Sequence, residues 1–176
     1  MRPRFVSPLD EFIKAISDKW NELNPGKGGG GATKKVRVLV LGHGSSGSGP
    51  LIGPADGVPV FNFTVANWDE LADYRPEEFD DKLSKMPISR IKDMVDEMRF
   101  ASCAIANTAG GKHALRNIAR YLGMTNIAAA TWHTNTSFLP NRVVIVPHPF
   151  EDPNDPLRPP GPQPTTFDQF IFQTKD

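Results

Sequence analysis

Two residues of this chain have side chains suited to nucleophilic catalysis. Cys103, the single cysteine, lies in the short apolar segment 100–106, which has the composition of a strand. His43 lies between two glycines, directly after the apolar run 36–41. A cysteine thiolate is a strong nucleophile, and an adjacent histidine is a common base for removing the thiol proton. The pair is therefore a candidate nucleophile and base of a cysteine hydrolase.

The elements expected around these residues place both at one edge of a sheet. Residues 36–41 have the apolar composition of a buried strand. The helical stretch that follows predicts a right-handed crossover to a parallel neighbour that contains the cysteine. His43 and Cys103 would then follow the carboxyl ends of two strands, where open α/β sheets bind ligands. We therefore expect the two residues to face each other across a crevice.

The loops at this edge hold further candidate site residues. The glycines beside His43 permit close approach of a substrate, and the Gly44 N–H is free to bind a developing oxyanion. The candidate substrate-binding residues are Ser45, Ser46, Asp56, Trp132 and His133. Ordinary packing is the alternative role for Trp132 and His133.

Other side chains offer competing assignments. His113, near the start of the helix after Cys103, is the competing catalytic histidine. Asp56, Asp69 and Glu70 are the acidic candidates for orienting a histidine or binding a basic substrate residue. The alternative for Cys103 itself is a small buried hydrophobe without a catalytic role.

Composition divides the chain into four parts. Residues 1–25 predict an amphipathic N-terminal helix, and residues 26–33 a glycine-rich linker. Residues 34–146 predict an α/β domain with a small, mainly parallel sheet flanked by helices. Residues 147–176 predict a proline-rich C-terminal arm, because eight prolines lie between positions 147 and 164.

Patterns within the α/β domain predict its elements. The expected strands are 36–41, 100–106, 127–132 and 142–146, and a hairpin is expected to join 51–52 to 60–65. The expected helices include 67–72, 77–83 and 111–122, the last of which ends at Gly123. A further helix is expected to begin at Pro87 and to run directly into the cysteine strand.

Composition and charge argue against several classes of function. Lys and Arg together number 20, as do Asp and Glu, so no bulk charge favours nucleic acid or an anionic membrane. A single cysteine cannot form an intramolecular disulfide, which fits a reducing compartment. No apolar run approaches a membrane span in length, and the N-terminus lacks the pattern of a signal peptide. We therefore expect neither a nucleic-acid partner nor a membrane span. The expected location is the cytoplasm, or a host cell reached by a route that needs no signal peptide.

The loop 42–49 also matches the glycine pattern of a dinucleotide-binding fingerprint. That fingerprint must open a helix, yet Ser48-Gly49-Pro50 would break one. A non-enzymatic nucleotide-binding module that uses this loop is the alternative from another class of function. No C-x-x-C or H-x-x-x-H pair occurs, so neither a metal nor a cofactor is predicted.

The order of the predicted elements resembles a known group of enzymes. A strand followed by Gly42-His-Gly44, a hairpin, a helix, a strand with Ser102-Cys-Ala104, a helix and a strand is similar to the caspase-like cysteine peptidase clan. Bacterial CHAT domains and the self-processing protease domains of large toxins belong to that clan. The resemblance covers roughly residues 36–132. The clan normally has two further strands before the histidine strand, where this chain has a helix and a glycine tether.

The resemblance implies specific roles. His43 would be the catalytic histidine and Cys103 the nucleophile, with the N–H groups of Gly44 and Cys103 as the oxyanion hole and a thioester as the intermediate. A protein is the implied substrate. A trimmed sheet without a peptide groove would instead suit deamidation or transglutamination of a host protein. Residues 4–8 resemble the end of an RHS-repeat core, which implies an effector released from a larger toxin or carrier chain.

Overall fold

The computed structural model describes residues 8–26, 33–52, 57–139, 142–165 and 171–175. The helices are α1 (Leu9–Leu23), α2 (Pro76–Ser84) and α3 (Ala109–Leu122), with 3-10 helices at Trp68–Asp73 and Pro87–Ile91. The strands are β1 (Val36–Leu41), β2 (Gly44–Ser45), β3 (Gly49–Ile52), β4 (Val58–Pro59), β5 (Val95–Ala101), β6 (Asn126–Ala130), β7 (Thr134–Leu139), β8 (Arg142–Pro147) and β9 (Ile171–Gln173). Most of the predicted glycine linker and the candidate Asp56 lie outside the described residues.

The main sheet has four strands in the order β1-β5-β6-β9. β1, β5 and β6 run parallel, and β9 joins β6 in the antiparallel direction. The chain is therefore an α/β protein with a mixed sheet of mostly parallel strands flanked by helices. The predicted crossover from β1 to a parallel neighbour that leads to Cys103 is confirmed. Within the described ranges, no helix combines the length and the apolar character needed to cross a membrane.

The helices pack on one face of this sheet. That face carries alternate side chains of the three parallel strands, which share one hydrophobic core with α1, α2 and α3: Val38, Val40, Met98, Phe100, Ile127 and Ala129. On the opposite face of β1, Arg37 and Leu39 are exposed, Leu39 to 43%. β1 is thus less buried than its apolar composition predicted, because Leu39 lies on the solvent face.

α1 belongs to the same core as the α/β domain. Phe12, Ile13 and Ile16 are buried in that core, as the amphipathic pattern predicted. At the end of the helix, Asn24 binds the chain on the far side of the glycine-rich segment. Its Nδ2 donates to Lys34 O at 2.9 Å, and its Oδ1 accepts from Lys34 N at 2.8 Å. The two ends of the glycine-rich segment are therefore joined.

The segment before Cys103 differs from the prediction. The helix opened by Pro87 is a 3-10 helix that ends at Ile91, and β5 begins at Val95. A bulge in the pairing of β1 with β5 places an extra residue, Asp96, after Val95. Val95 and Met98 are therefore three residues apart and both buried, which imitates helical spacing. Cys103 lies in a turn two residues beyond β5 rather than within a strand.

The smaller sheets also differ in their pairing. β3 pairs with β2 on one side and with β4 on the other, so the loop 42–49 is itself a hairpin and residues 60–65 are not a strand. β8 pairs with β7 in a separate ribbon, and β9 takes the fourth place in the main sheet. Val60, Phe61 and Phe63 fill the main core, and Val60 N–H donates to Pro50 O at 2.9 Å.

α3 has the predicted end and a clear beginning. Thr108 is its N-cap, and the Oγ1 of Thr108 accepts from Gly111 N–H at 3.1 Å. Gly123 follows the last turn with φ 68°, the left-handed conformation in which glycine ends many helices. The predicted helix stop at Gly123 is confirmed.

Replacement of Gly123 by alanine is expected to lower the free energy of unfolding by about 1–2 kcal/mol. Alanine is strained at this φ, and its Cβ would meet the carboxylate of Asp93. Urea denaturation measures the loss. Gly26→Ala is the matched control, because Gly26 has φ 79° but no atom within 4 Å of an added Cβ. An unchanged unfolding midpoint for Gly123→Ala would contradict the expectation.

Candidate functional site

The register of β1 and β5 brings His43 and Cys103 to equivalent positions. The last pair of the two strands is Leu41 with Ala101. Each candidate residue lies two positions beyond its member of that pair. Neighbouring strands are about 4.8 Å apart. The two side chains with the predicted chemistry therefore start from the same edge of the sheet, just beyond the ends of adjacent strands.

Gly44 packs directly against the cysteine turn. A Cβ added to Gly44 would lie 3.1 Å from Ser102 Cβ and 3.2 Å from Ile105 Cδ1, the residues on either side of Cys103 and Ala104. A side chain at position 44 would crowd the cysteine turn, so glycine favours the close approach of the two segments. The loop after β1 and the turn after β5 are therefore in contact.

The hairpin leaves the Gly44 N–H unused. Leu51 N–H donates to His43 O at 2.9 Å, so His43 and Leu51 form a hydrogen-bonded pair. The next pair along the antiparallel ladder, Gly44 with Pro50, is then a non-hydrogen-bonded pair. Pro50 has no N–H and suits this position. The N–H of Gly44 points away from β3, as the donor of an oxyanion hole requires.

Cys103 lies at a sharp reversal of the chain. After it, Ala104 N–H donates to Trp132 O at 3.0 Å and Ala106 N–H donates to Ala130 O at 2.9 Å, so the chain runs back along the end of β6. Ala104 adopts φ 47°, which is uncommon for a residue other than glycine. Cys103 is half-buried, and its Sγ lies 3.8 Å from Thr134 O. The thiol of this half-buried residue is thus held only weakly.

The residue before Cys103 carries an unpaired polar group. Ser102 is fully buried, and its Oγ has no hydrogen-bond partner in the described part of the chain. A buried hydroxyl without a partner costs about 1–3 kcal/mol. Ser102 and the φ of Ala104 are two destabilising features in one turn. Such features concentrate at functional sites.

His43 is exposed at the end of β1. Its ring forms no hydrogen bond with any residue in the described ranges. The acidic candidates Asp69 and Glu70 have other roles. Asp69 Oδ1 accepts from Gly110 N–H at 3.4 Å, and Glu70 Oε1 accepts from Asn67 N–H at 3.3 Å. Both carboxylates therefore bind backbone at helix starts instead of orienting a histidine.

The serines of the loop 42–49 are used within the hairpin. Ser45 Oγ accepts from the N–H groups of Gly47 and Ser48, both at 3.1 Å. Ser46 O accepts from Trp68 N–H at 2.8 Å, which fixes the loop on the 3-10 helix. A dinucleotide fingerprint needs free N–H groups and a helix after the loop. This loop has its N–H groups of Gly47 and Ser48 bonded and is followed by β3.

Trp132 has a packing role, which was the alternative to substrate binding in the sequence analysis. It is buried, its ring packs on Phe150 with centroids 5.7 Å apart, and its Nε1 donates to His148 O at 3.0 Å. Its own carbonyl receives the Ala104 N–H described above. Trp132 therefore positions the cysteine turn through its main chain.

His133 is half-buried next to the same aromatic ring. Burial lowers the pKa of His133, and the neighbouring His148 lowers it further. A hydrogen bond to Leu157 O and the carboxylate of Asp155 oppose that shift of the pKa. Sequence reasoning missed Phe150 and His148. The only signal for them was an aromatic residue between prolines in the segment 147–164.

The competing histidine, His113, is engaged elsewhere. Its Nε2 lies 2.7 Å from Tyr74 O, and its ring packs edge-on against Phe79 at 5.5 Å. These contacts tie α3 to α2 and to the chain before it. Over the described ranges, no group of three His, Cys, Asp or Glu side chains is placed to hold a metal ion.

Comparisons with known proteins add no relative. No protein-family model matches the chain, and no curated protein and no solved structure matches it.

Proposed function

We propose that this chain is a cysteine hydrolase that acts on a protein substrate, with Cys103 as the nucleophile and His43 as its base. The observation that carries the proposal is the register that pairs Leu41 with Ala101 and sets both residues two positions further on. Support also comes from the burial of the two residues, since Cys103 is only half-buried and His43 is exposed. A nucleophile and a base on adjacent strand ends are the minimum that nucleophilic catalysis needs.

In the proposed reaction, His43 takes the thiol proton of Cys103, and the thiolate attacks the carbonyl carbon of an amide. The carbonyl oxygen becomes an oxyanion that accepts from the N–H groups of Gly44 and Cys103. The C–N bond then breaks, and the amine leaves with the proton from His43. The acyl group remains on sulfur as a thioester. Water gives a proton to His43, attacks the thioester and releases the acid, and the thiol is restored.

The likeness to caspase-like peptidases is part of the same proposal. It is supported by the order of β1, His43, the hairpin, β5, Cys103, α3 and β6, and by the parallel pairing of β1 with β5. β1 lies at the edge of the four-stranded sheet. The two further strands of that clan therefore have no counterpart in the described sheet. This edge position favours the second candidate, deamidation or transglutamination of a host protein by the same two residues.

The proposed setting follows from the sequence. The likeness of residues 4–8 to the end of an RHS-repeat core supports an effector that a larger toxin or carrier chain delivers. The proposed location is the cytoplasm, of the producing cell or of a host cell. The free thiol of Cys103 fits a reducing compartment of this kind.

The proposal is tested by incubating the full chain, Cys103→Ala and His43→Gln with a lysate of native proteins. New amino termini are labelled, and released ammonia is measured in parallel. We expect new termini from the unmodified chain alone. Ammonia without new termini would replace peptide hydrolysis by deamidation. Equal products from the unmodified chain and Cys103→Ala would overturn the assignment of the nucleophile.

A further inference from the structure

The segment 148–164, here called the clasp, docks on the chain that follows β6. The main chain of His148 forms two of the hydrogen bonds between them. His148 N–H donates to His133 O at 2.7 Å, and Trp132 Nε1–H donates to His148 O at 3.0 Å. Within the clasp, Phe150 N–H donates to the Oε1 of Gln163 at 3.2 Å. The clasp has no helix or strand of its own, so these few bonds and its buried side chains hold it in place.

Two imidazoles pack against the aromatic anchor of the clasp. The ring centroid of Phe150 lies 5.5 Å from that of His133 and 4.9 Å from that of His148. Both contacts are nearly perpendicular, at 79° and 83°. Phe150 is only 9% exposed, and it forms a small separate core with Ala130 and Trp132. The docked clasp therefore covers part of the half-buried His133.

The charged groups that act on His133 are few. Those identified are His148, which disfavours its protonation, and Asp155, which favours it. A main-chain bond to Leu157 O also favours the protonated ring. His148 itself lies 3.4 Å from Asn135 Oδ1 through its Nδ1. Burial and the second histidine outweigh the two opposing contacts, so the pKa of His133 lies below its ordinary value.

We propose that the clasp is an acid-released strap, docked when His133 is neutral and undocked when His133 is protonated. Protonation would place a positive charge against Phe150 in a partly buried site, where the neighbouring His148 disfavours it and where repulsion is poorly screened. Release of the clasp would regulate the Cys103 site. Only this regulatory role rests on the proposed function.

The direction of the pH effect follows from the lowered pKa. The undocked chain binds more protons than the docked one, because its His133 titrates at the ordinary value of about 6.5. Docking is therefore complete above about pH 6.5 and weakens as the pH falls through the lowered pKa of docked His133.

The clasp acts on the site through the main chain between its two anchors. Trp132 O accepts from Ala104 N–H, and Thr134 O lies against Cys103 Sγ. His133, which the clasp covers, lies between these two carbonyls. Release of the clasp therefore frees the chain that supports the cysteine turn.

Hydrogen exchange detected by NMR tests the proposal on the full chain. The probes are the Trp132 indole N–H and the amides of His148 and Ala104, measured near pH 8 and near pH 5 and corrected for intrinsic rates. We expect all three to lose protection severalfold at the lower pH. In His133→Gln the protection should not depend on pH, because glutamine can still donate to Leu157 O but cannot take up a proton.

His43→Gln is the matched control, because it removes another histidine at the same sheet edge, and its exchange should follow the unmodified chain. His148→Gln, which removes the neighbour that disfavours protonation of His133, should show a smaller loss. Protection that is equal at both pH values in the unmodified chain would overturn the proposal that acid releases the clasp. A loss that persists in His133→Gln would overturn His133 as its sensor. Opening of the clasp without a change in the protection of the Ala104 amide would overturn the link between the clasp and the site. None of these measurements depends on the proposed activity.

Discussion

Replacing Cys103 with alanine is expected to slow the proposed hydrolysis by at least about 1,000-fold while the chain stays folded. Alanine cannot form the thioester, so the whole covalent pathway is lost. The substitution removes a half-buried thiol whose one hydrogen bond is a weak contact of 3.8 Å, so little stability is lost with it. Initial rates of new amino termini measure the first effect, and thermal unfolding measures the second.

Ser102→Ala is the matched control for this variant. It changes the preceding residue in the same turn and removes a buried hydroxyl that has no partner in the described part of the chain. We expect retained hydrolysis and an unfolding temperature at or above that of the unmodified chain. A Cys103→Ala chain that hydrolyses as fast as the unmodified chain would contradict the role of the thiol. Equal inactivity of both variants would show that the turn matters and not the sulfur.

The largest expected effect on stability belongs to Trp68. This side chain is 2% exposed, and its ring packs against Phe61 and Phe63 at centroid distances of 6.4 and 5.8 Å. Trp68→Ala should lower the free energy of unfolding by about 3–5 kcal/mol, a large share of the 5–15 kcal/mol typical of a domain. Chemical denaturation followed by circular dichroism measures the loss.

Trp68 also supports the loop that carries His43. Its ring lies directly against Gly49, and the main-chain N–H of the same residue donates to Ser46 O at 2.8 Å. Activity should therefore fall in Trp68→Ala even at temperatures where the chain remains folded. Leu157→Ala is the control, because that side chain is 66% exposed and its loss should change stability by no more than about 0.5 kcal/mol. Similar losses in the two variants would contradict the position of Trp68 in the core.

Local signals in the sequence predicted the elements that hold the site. The spacing of Phe12, Ile13 and Ile16 identified α1, and Gly123 marked the end of α3 because only a few residues tolerate its φ of 68°. The apolar run of β1, the glycines around His43 and the later cysteine segment indicated a parallel crossover. These features depend on residues close together in the chain, which the sequence displays directly.

Pairings between distant segments were missed for a physical reason. The bulge at Asp96 gives β5 a three-residue spacing of buried side chains, which a helix would share. β9 reaches β6 across more than forty residues, and its three-residue length carries no periodic signal. The packing of Phe150 against two histidines likewise depends on where a proline-rich segment docks. No local pattern encodes such a contact.

The most direct test of the proposed dyad is the rate at which iodoacetamide labels Cys103 across about pH 6 to 9 in the unmodified chain and in His43→Gln. The proposal predicts fast labelling already at the acid end of this range, and its loss in the variant, because His43 then no longer stabilises the thiolate. Labelling that is slow until the chain is denatured, and equal in both proteins, would contradict it and make Cys103 a structural residue.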